Sequence, residues 1–204
     1  MNELLLVRHG ETDWNAQHRI QGSTDIPLND EGRKQAGDAG RALSAYRWDA
    51  LYSSTLSRAR ETARIIGAHI GIDSVATDER LIERHFGEAE GMLIEQRRRA
   101  FPTGTQIPGA ESWEAIGRRG AEALTDIVRA QPHRRSIVIA HGGLIKSVLA
   151  EITDGEFDQQ WTPFLNGGAT YITWDGEWHV HWYNRKPADV DFVDEPVGNG
   201  AFLN

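Results

Sequence analysis

Two short runs of uninterrupted apolar side chains mark the chain, one at residues 4–7 (Leu4, Leu5, Leu6, Val7) and one at 136–140, where Ile137, Val138, Ile139 and Ala140 follow Ser136. Runs without polar alternation suit strands buried on both faces of a parallel sheet. Each run stops abruptly at a histidine: the first at Arg8-His9-Gly10, the second at His141-Gly142-Gly143. Ligands of open α/β sheets bind beyond the carboxyl ends of the strands, so both histidines are expected in one crevice. Asn29-Asp30-Glu31 reads as a helix start followed by small residues at helical spacing (Ala36, Ala39, Gly40, Leu43). A strand is predicted over 48–52. It leads through Ser53-Ser54-Thr55 into a helix over about 56–70, with Ser54, Thr55 or Ser57 as N-cap and Ala59, Ala63 and Ile66 as its apolar stripe. Further helices are predicted over about 112–130 and 144–151. The alternation of strands and helices implies an α/β fold, a three-layer α/β/α sandwich on a mostly parallel central sheet.

Near the C-terminal end, residues 169–174 and 178–183 flank Asp175-Gly176, a hairpin signal. Strict alternation puts Trp178, Val180 and Trp182 on one face. His179 and His181 then fall on the other, where solvent exposure is expected in preference to metal binding. Residues 84–110 read as irregular, basic at Arg97-Arg98-Arg99 and broken by Pro102 and Pro108, which describes either a loop over the site or a plain surface loop. One domain is expected over 1–204, with a polar tail at 186–204.

Composition narrows the chemistry. The 204 residues include no cysteine, which removes disulfides, thiolate metal sites and a cysteine nucleophile. A formal net charge of -8 argues against a nucleic-acid partner, although a small anion needs only a local cluster of cations. No apolar run is long enough for a membrane span, and Met1 leads into the first strand without a basic segment, so a cytoplasmic location is expected. Oligomeric state stays open.

Arg8-His9-Gly10-Glu11-Thr12 presents a cation and an imidazole together directly after a strand. Arg58 and Arg60 fall in the first turn of a predicted helix, where the helix dipole disfavours cations; an anion docked at that N-terminus would resolve the conflict. Arg60 can equally point to solvent.

The segment from Leu6 to Thr12, followed by Trp14-Asn15, resembles the signature of the histidine phosphatase superfamily, also called the phosphoglycerate mutase-like family. Gln21-Gly22, the stretch from Asp25 to Asn29, and Gly32 resemble the segment next to that signature in phosphatase members. Ser53-Ser54-Thr55-Leu56-Ser57-Arg58-Ala59 resembles the motif of a second arginine, here Arg58. Leu81-Ile82-Glu83-Arg84-His85-Phe86-Gly87, ending in Glu90-Gly91, resembles the segment carrying the acidic proton donor, which implies that role for Glu83. Ala140-His141-Gly142-Gly143 resembles the motif of the second histidine. The motifs occur in the family's order along most of the chain. The resemblance implies a phosphoglycerate mutase-like fold and a phosphate site of Arg8, Asn15, Gln21, Gly22, Arg58, His141 and Gly142, with Glu11 structural.

The residue types allow the same chemistry. His9 would attack phosphorus in line with the leaving oxygen and form a phosphohistidine, kept unprotonated by the neighbouring charges of Arg8 and Arg58. The arginines and His141 would stabilise the phosphoryl oxygens, and Glu83 would protonate the leaving oxygen and later deprotonate water. A metal site of His9, Glu11 and His141 is the main chemical rival, disfavoured because no metal-ligand spacing is present and the arginines would repel a cation. No Walker loop appears, so no ATP and no other cofactor is implied. Asp189-Val190-Asp191 lies in the polar tail and is read as surface. The expectation is therefore a phosphatase acting on a small phosphorylated metabolite. A cofactor-dependent phosphoglycerate mutase is the alternative, suggested by the wording of Glu83-Arg84-His85-Phe86-Gly87 but opposed by the short stretch between Glu83 and His141. A non-catalytic phospholigand-binding protein is a third reading, disfavoured because His9, Arg8, Arg58, Glu83 and His141 are all present.

Overall fold

A computed structural model describes residues 1–130, 134–157 and 163–190. The expected apolar runs are β1 (Asn2–Arg8) and β4 (Arg135–Ala140), and they are neighbours, parallel and in register, with Arg8 beside Ala140. The six-stranded sheet has the order β3-β2-β4-β1-β5-β6, where β2 is Ala50–Ser54, β3 Val75–Asp78, β5 Ala169–Trp174 and β6 Trp178–Arg185. The β1, β2, β3 and β4 strands pair in parallel; β5 and β6 join antiparallel at one side.

A single helical turn, α1 (Asp13–Ala16), follows the loop after β1, and the continuous runs are explained by longer helices on both faces. Leu5, Val7, Ile137 and Ile139 face one core cluster, roofed by Ala39 and Leu43 of α2 (Asp30–Leu43) and by Ala59, Ala63 and Ile66 of α3 (Ser57–Ile70). Leu4, Leu6, Val138 and Ala140 face the other, covered by Ile116 and Leu124 of α5 (Trp113–Ala130) and by Leu144 and Val148 of α6 (Gly142–Ile152). The chain is thus the three-layer α/β/α sandwich that its periodicity implies, on a mostly parallel sheet.

Four details depart from the sequence reading. The second strand lies two residues later than 48–52, because Trp48 leaves the sheet and donates its indole N–H to the Leu43 carbonyl. The edge strand β3 carries no apolar pattern, since two of its four residues are exposed. Within the stretch read as irregular, residues Ile94–Ala100 form a short helix, α4, carrying Arg97, Arg98 and Arg99. In β6 the alternation breaks: Ile172 pairs with Val180 but Tyr171 pairs with Trp182, so a bulge at His181 shifts the register. Trp178 and Val180 accordingly pack on one core cluster and Trp182 on the opposite one. His179 meets Asp175, and His181 meets the Thr173 hydroxyl. Of the expected tail, Pro187 is buried and Val190 packs on the α2 side, while residues 191–204, with Asp191, lie outside the described residues.

One close approach fixes the loop after β1. A Cβ on Gly32 would stand 2.1 Å from the Glu11 carbonyl oxygen, and one on Gly10 would stand 2.3 Å from the Gly32 carbonyl oxygen. Two bare backbones therefore let the first turn of α2 press against the residues following His9.

Candidate active site

Register alone brings the two histidines together. Arg8 pairs with Ala140, so the next residues, His9 and His141, leave adjacent strands side by side, with ring centroids 5.1 Å apart and planes tilted by 58°. Both rings are buried.

His9 Nδ1 lies 2.7 Å from the Gly10 carbonyl oxygen, which can only accept, so Nδ1 carries the ring hydrogen and Nε2 keeps its lone pair. Arg58 Nε donates to that Nε2 at 3.3 Å. Burial holds His9 well below its ordinary value, and the charges of Arg58 and Arg8 push it further down. Charge alone was the cause expected from sequence; desolvation by the closed sheet edge is the larger one. His141 is lowered in the same way, by burial first and then by Arg58, His9, Arg8 and Arg119.

Arg58 is completely buried, its two terminal nitrogens donating to the Thr24 carbonyl at 2.9 Å and the Gly22 carbonyl at 2.7 Å. Burial lowers its pKa to about 10, with Glu83 and Asp25 opposing, so it remains a cation at neutral pH. The anion expected at the N-terminus of α3 is supplied by the protein: Asp25 accepts from the Ser57 amide at 2.8 Å and from its hydroxyl at 2.7 Å. None of the three proposed N-cap side chains caps α3; Ser54 instead accepts from the Leu56 amide and faces His141. Arg60 is exposed.

Arg8 donates to the Phe164 carbonyl, and burial lowers its pKa while Glu83 and Glu11 oppose. Glu83 stands at the start of α6, one oxygen accepting from the Gly143 amide at 2.9 Å and the other from Leu144 at 3.0 Å and Arg84 at 2.8 Å. Gly142 opens that helix directly after His141. Gln21 is buried, its carbonyl and Asn15 Oδ1 lying within reach of the single Thr12 hydroxyl hydrogen. Gly22, with φ of 59°, supplies the carbonyl that holds Arg58. Among the described residues, the buried side-chain polar atoms without a hydrogen-bond partner are Arg8 Nε, Gln21 Nε2 and His141 Nδ1. The Ser54 hydroxyl, 2.8 Å from His141 Nε2, can donate to it, which leaves the ring proton on Nδ1. Arg8 Nε and Gln21 Nε2 are thus unpartnered donors, and His141 Nδ1 joins them when Ser54 donates to Nε2. Buried donors without partners are costly and mark a place built for an acceptor.

Glu11 accepts from the Asn29 side chain at 2.9 Å and its amide bonds Gln35, so it anchors the start of α2. Among the described residues no three His, Asp or Glu side chains are grouped as a metal ion would require. No described helix is long and apolar enough to cross a membrane.

Several supports escaped the sequence reading. Glu90 accepts from the amides and hydroxyls of Ser23 and Thr24, from the Phe86 amide and from His85 Nδ1, tying down the loop whose carbonyls grip Arg58. Burial pushes the Glu90 carboxyl up, and these hydrogen bonds bring it below its ordinary value. Thr62 accepts from the Gly10 amide, and Asn166 donates to the His9 carbonyl. Glu90 sits at the end of a motif segment, but no local pattern tells that two of its partners, Ser23 and Thr24, lie more than sixty residues away.

The model of the histidine phosphatase superfamily (branch 1) matches residues 4–186. A phosphatase of Bacillus subtilis (strain 168), PhoE, is 37% identical over 185 residues, covering 90% of this chain and 95% of its own length. A probable phosphoglycerate mutase, GpmB, of Serratia proteamaculans (strain 568) is 38% identical over 223 residues, covering 97% of both. Among solved structures, a mycobacterial glucosyl-3-phosphoglycerate phosphatase complexed with VO3 superposes with a TM-score of 0.83 at 28% identity, covering 91% of this chain and 100% of that one.

Proposed function

The chain belongs to branch 1 of the histidine phosphatase superfamily, and on that footing we propose that it hydrolyses a small phosphorylated metabolite through a phosphohistidine formed on His9. The observation that carries this reading is the state of His9: a buried imidazole with its hydrogen fixed on Nδ1, its lone pair on Nε2, and cations and unpartnered donors around it. Such a group is a nucleophile that stays unprotonated, beside a pocket for an oxyanion.

In the proposed reaction His9 Nε2 attacks phosphorus as the P–O ester bond breaks. The Glu83 carboxyl gives its proton to the departing oxygen, releasing an alcohol. Arg58, Arg8, Gln21, Asn15, His141 and the start of α6 at Gly142 hold the phosphoryl oxygens, while the Gly22 carbonyl keeps Arg58 beside them. Water then attacks phosphorus and gives a proton to the Glu83 carboxylate. The N–P bond breaks, and phosphate leaves with His9 restored. Neither metal nor organic cofactor takes part, nor does nucleic acid or a membrane. The cytoplasm, where charged metabolites are retained, is the location that goes with this reading.

The similarity to GpmB supports a second reading, in which the phosphoryl group returns to a bound product in place of water. A panel of phosphorylated metabolites assayed with and without 2,3-bisphosphoglycerate separates the two. Phosphate release without that compound is expected, and interconversion of phosphoglycerates that depends on it would establish the mutase. The His9→Ala variant is expected to lose both turnover and trapping of labelled phosphate on the protein; trapping that persists would place the nucleophile elsewhere.

A further inference from the structure

Glu83 is carried on irregular chain, between a 3-10 turn at Glu79–Leu81 and another at Gly87–Ala89, and does not directly follow a core strand as His9 and His141 do. Something other than a helix or strand must fix it, because proton transfer demands placement within hydrogen-bond reach of the leaving oxygen. The side chain that does so comes from α5. Arg119 Nη1 donates to the carbonyls of Arg80 at 2.6 Å and Ile82 at 2.8 Å, and Nη2 donates to the Glu83 carbonyl at 3.2 Å. Its remaining donors meet Glu111: Nε to Oε1 at 2.7 Å and Nη2 to Oε2 at 2.9 Å. All five N–H donors of a guanidinium are thereby used, in a planar fork that a three-donor ammonium cannot reproduce.

Glu111 completes the clamp through its backbone. Its amide donates to the His85 carbonyl at 2.8 Å and its carbonyl accepts from Arg84 Nε at 2.8 Å. Burial pushes the Glu111 carboxyl up, and Arg119 brings it below its ordinary value, so the pair stays charged. The residues before Glu83 are thus pinned to α5 and those after it to Glu111, just ahead of α5, while its carboxyl end is held at α6 by the Gly143 and Leu144 amides.

We propose that Arg119, locked in its fork by Glu111, is a positioning residue that sets where the Glu83 carboxyl stands and so governs proton delivery to the leaving group. The inference rests on the assignment of Glu83 as the acid.

Its test is the dependence of kcat/KM on the leaving group, measured from 4-nitrophenyl phosphate through phenyl phosphate to an alkyl phosphate, for the wild type, Glu83→Gln, Arg119→Lys, Glu111→Gln and the Glu83→Gln/Arg119→Lys double variant. An activated aryl ester departs without a proton and an alkyl oxygen does not. Arg119→Lys and Glu111→Gln should each lose roughly 10- to 100-fold on the alkyl ester and under about 3-fold on 4-nitrophenyl phosphate, part of the ~10²–10⁴ that general acid catalysis supplies. In the Glu83→Gln background the Arg119→Lys loss should vanish, because the proton it positions is gone. Equal losses on all esters, no loss, or additive losses in the double variant would overturn the positioning role while leaving the acid assignment intact. A Glu83→Gln variant with no leaving-group dependence would remove the acid assignment and the inference with it. The lysine and glutamine variants keep charge or shape, and a thermal melt of each confirms that folded protein is compared.

Discussion

Two buried imidazoles held unprotonated make the protein sensitive to mild acid in a calculable way. His9 and His141 are depressed well below their ordinary 6.5, burial first and the arginines next. The unfolded chain then binds protons at these positions below about pH 6.5 while the folded chain does not, so stability is full above that pH and falls as the pH drops through it. The loss between about pH 7.5 and about pH 5.5 is then up to about 1.4 kcal/mol for each group, and up to about 3 kcal/mol for the two together. That is a large share of a typical ~5–15 kcal/mol. Urea unfolding across this pH range measures it, with the His9→Gln/His141→Gln double variant as control. His181, also lowered by burial, titrates in both proteins and cancels in the comparison. The wild type is expected to lose more than the double variant, by up to about 3 kcal/mol. Equal slopes would refute the claim that the site stores two uncharged imidazoles.

Two further perturbations probe the supports. Glu90→Ala removes the acceptor for six hydrogen bonds beneath the Arg58 loop; it should cost about 2–4 kcal/mol in urea unfolding and weaken vanadate inhibition roughly 10-fold, and unchanged inhibition would show that Arg58 holds itself. Gly32→Ala would place a Cβ 2.1 Å from the Glu11 carbonyl oxygen. It should destabilise by about 1–3 kcal/mol or more and lower kcat/KM as the loop after His9 shifts, and a neutral effect in thermal melts would mean that α2 can move away.

The layers and the pairing of His9 with His141 were legible because each rests on a local pattern: continuous apolar runs ending at a histidine, and small residues at helical spacing. The identities of Arg8, Arg58 and Glu83 were legible through motif wording. The contacts that fix them in place were not. Asp25 at the start of α3, Glu90 under Thr24, Thr62 on Gly10 and Arg119 on the carbonyls before Glu83 join residues 32 to 66 positions apart. Nothing in a local window marks such hydrogen bonds. The bulge at His181 was hidden for a related reason, since register shifts depend on the partner strand as well as the strand itself.

The sequence by itself determined which faces of each element must be buried and which side chains end the strands, because hydrophobic period and chain order are properties of neighbouring residues. Only the tertiary structure decided the protonation of His9, the neutralisation of the α3 terminus by Asp25 and the stance of Glu83. Those depend on how much water is excluded and on which distant groups are brought within about 3 Å, quantities that exist only after the sheet and its two helical layers have closed.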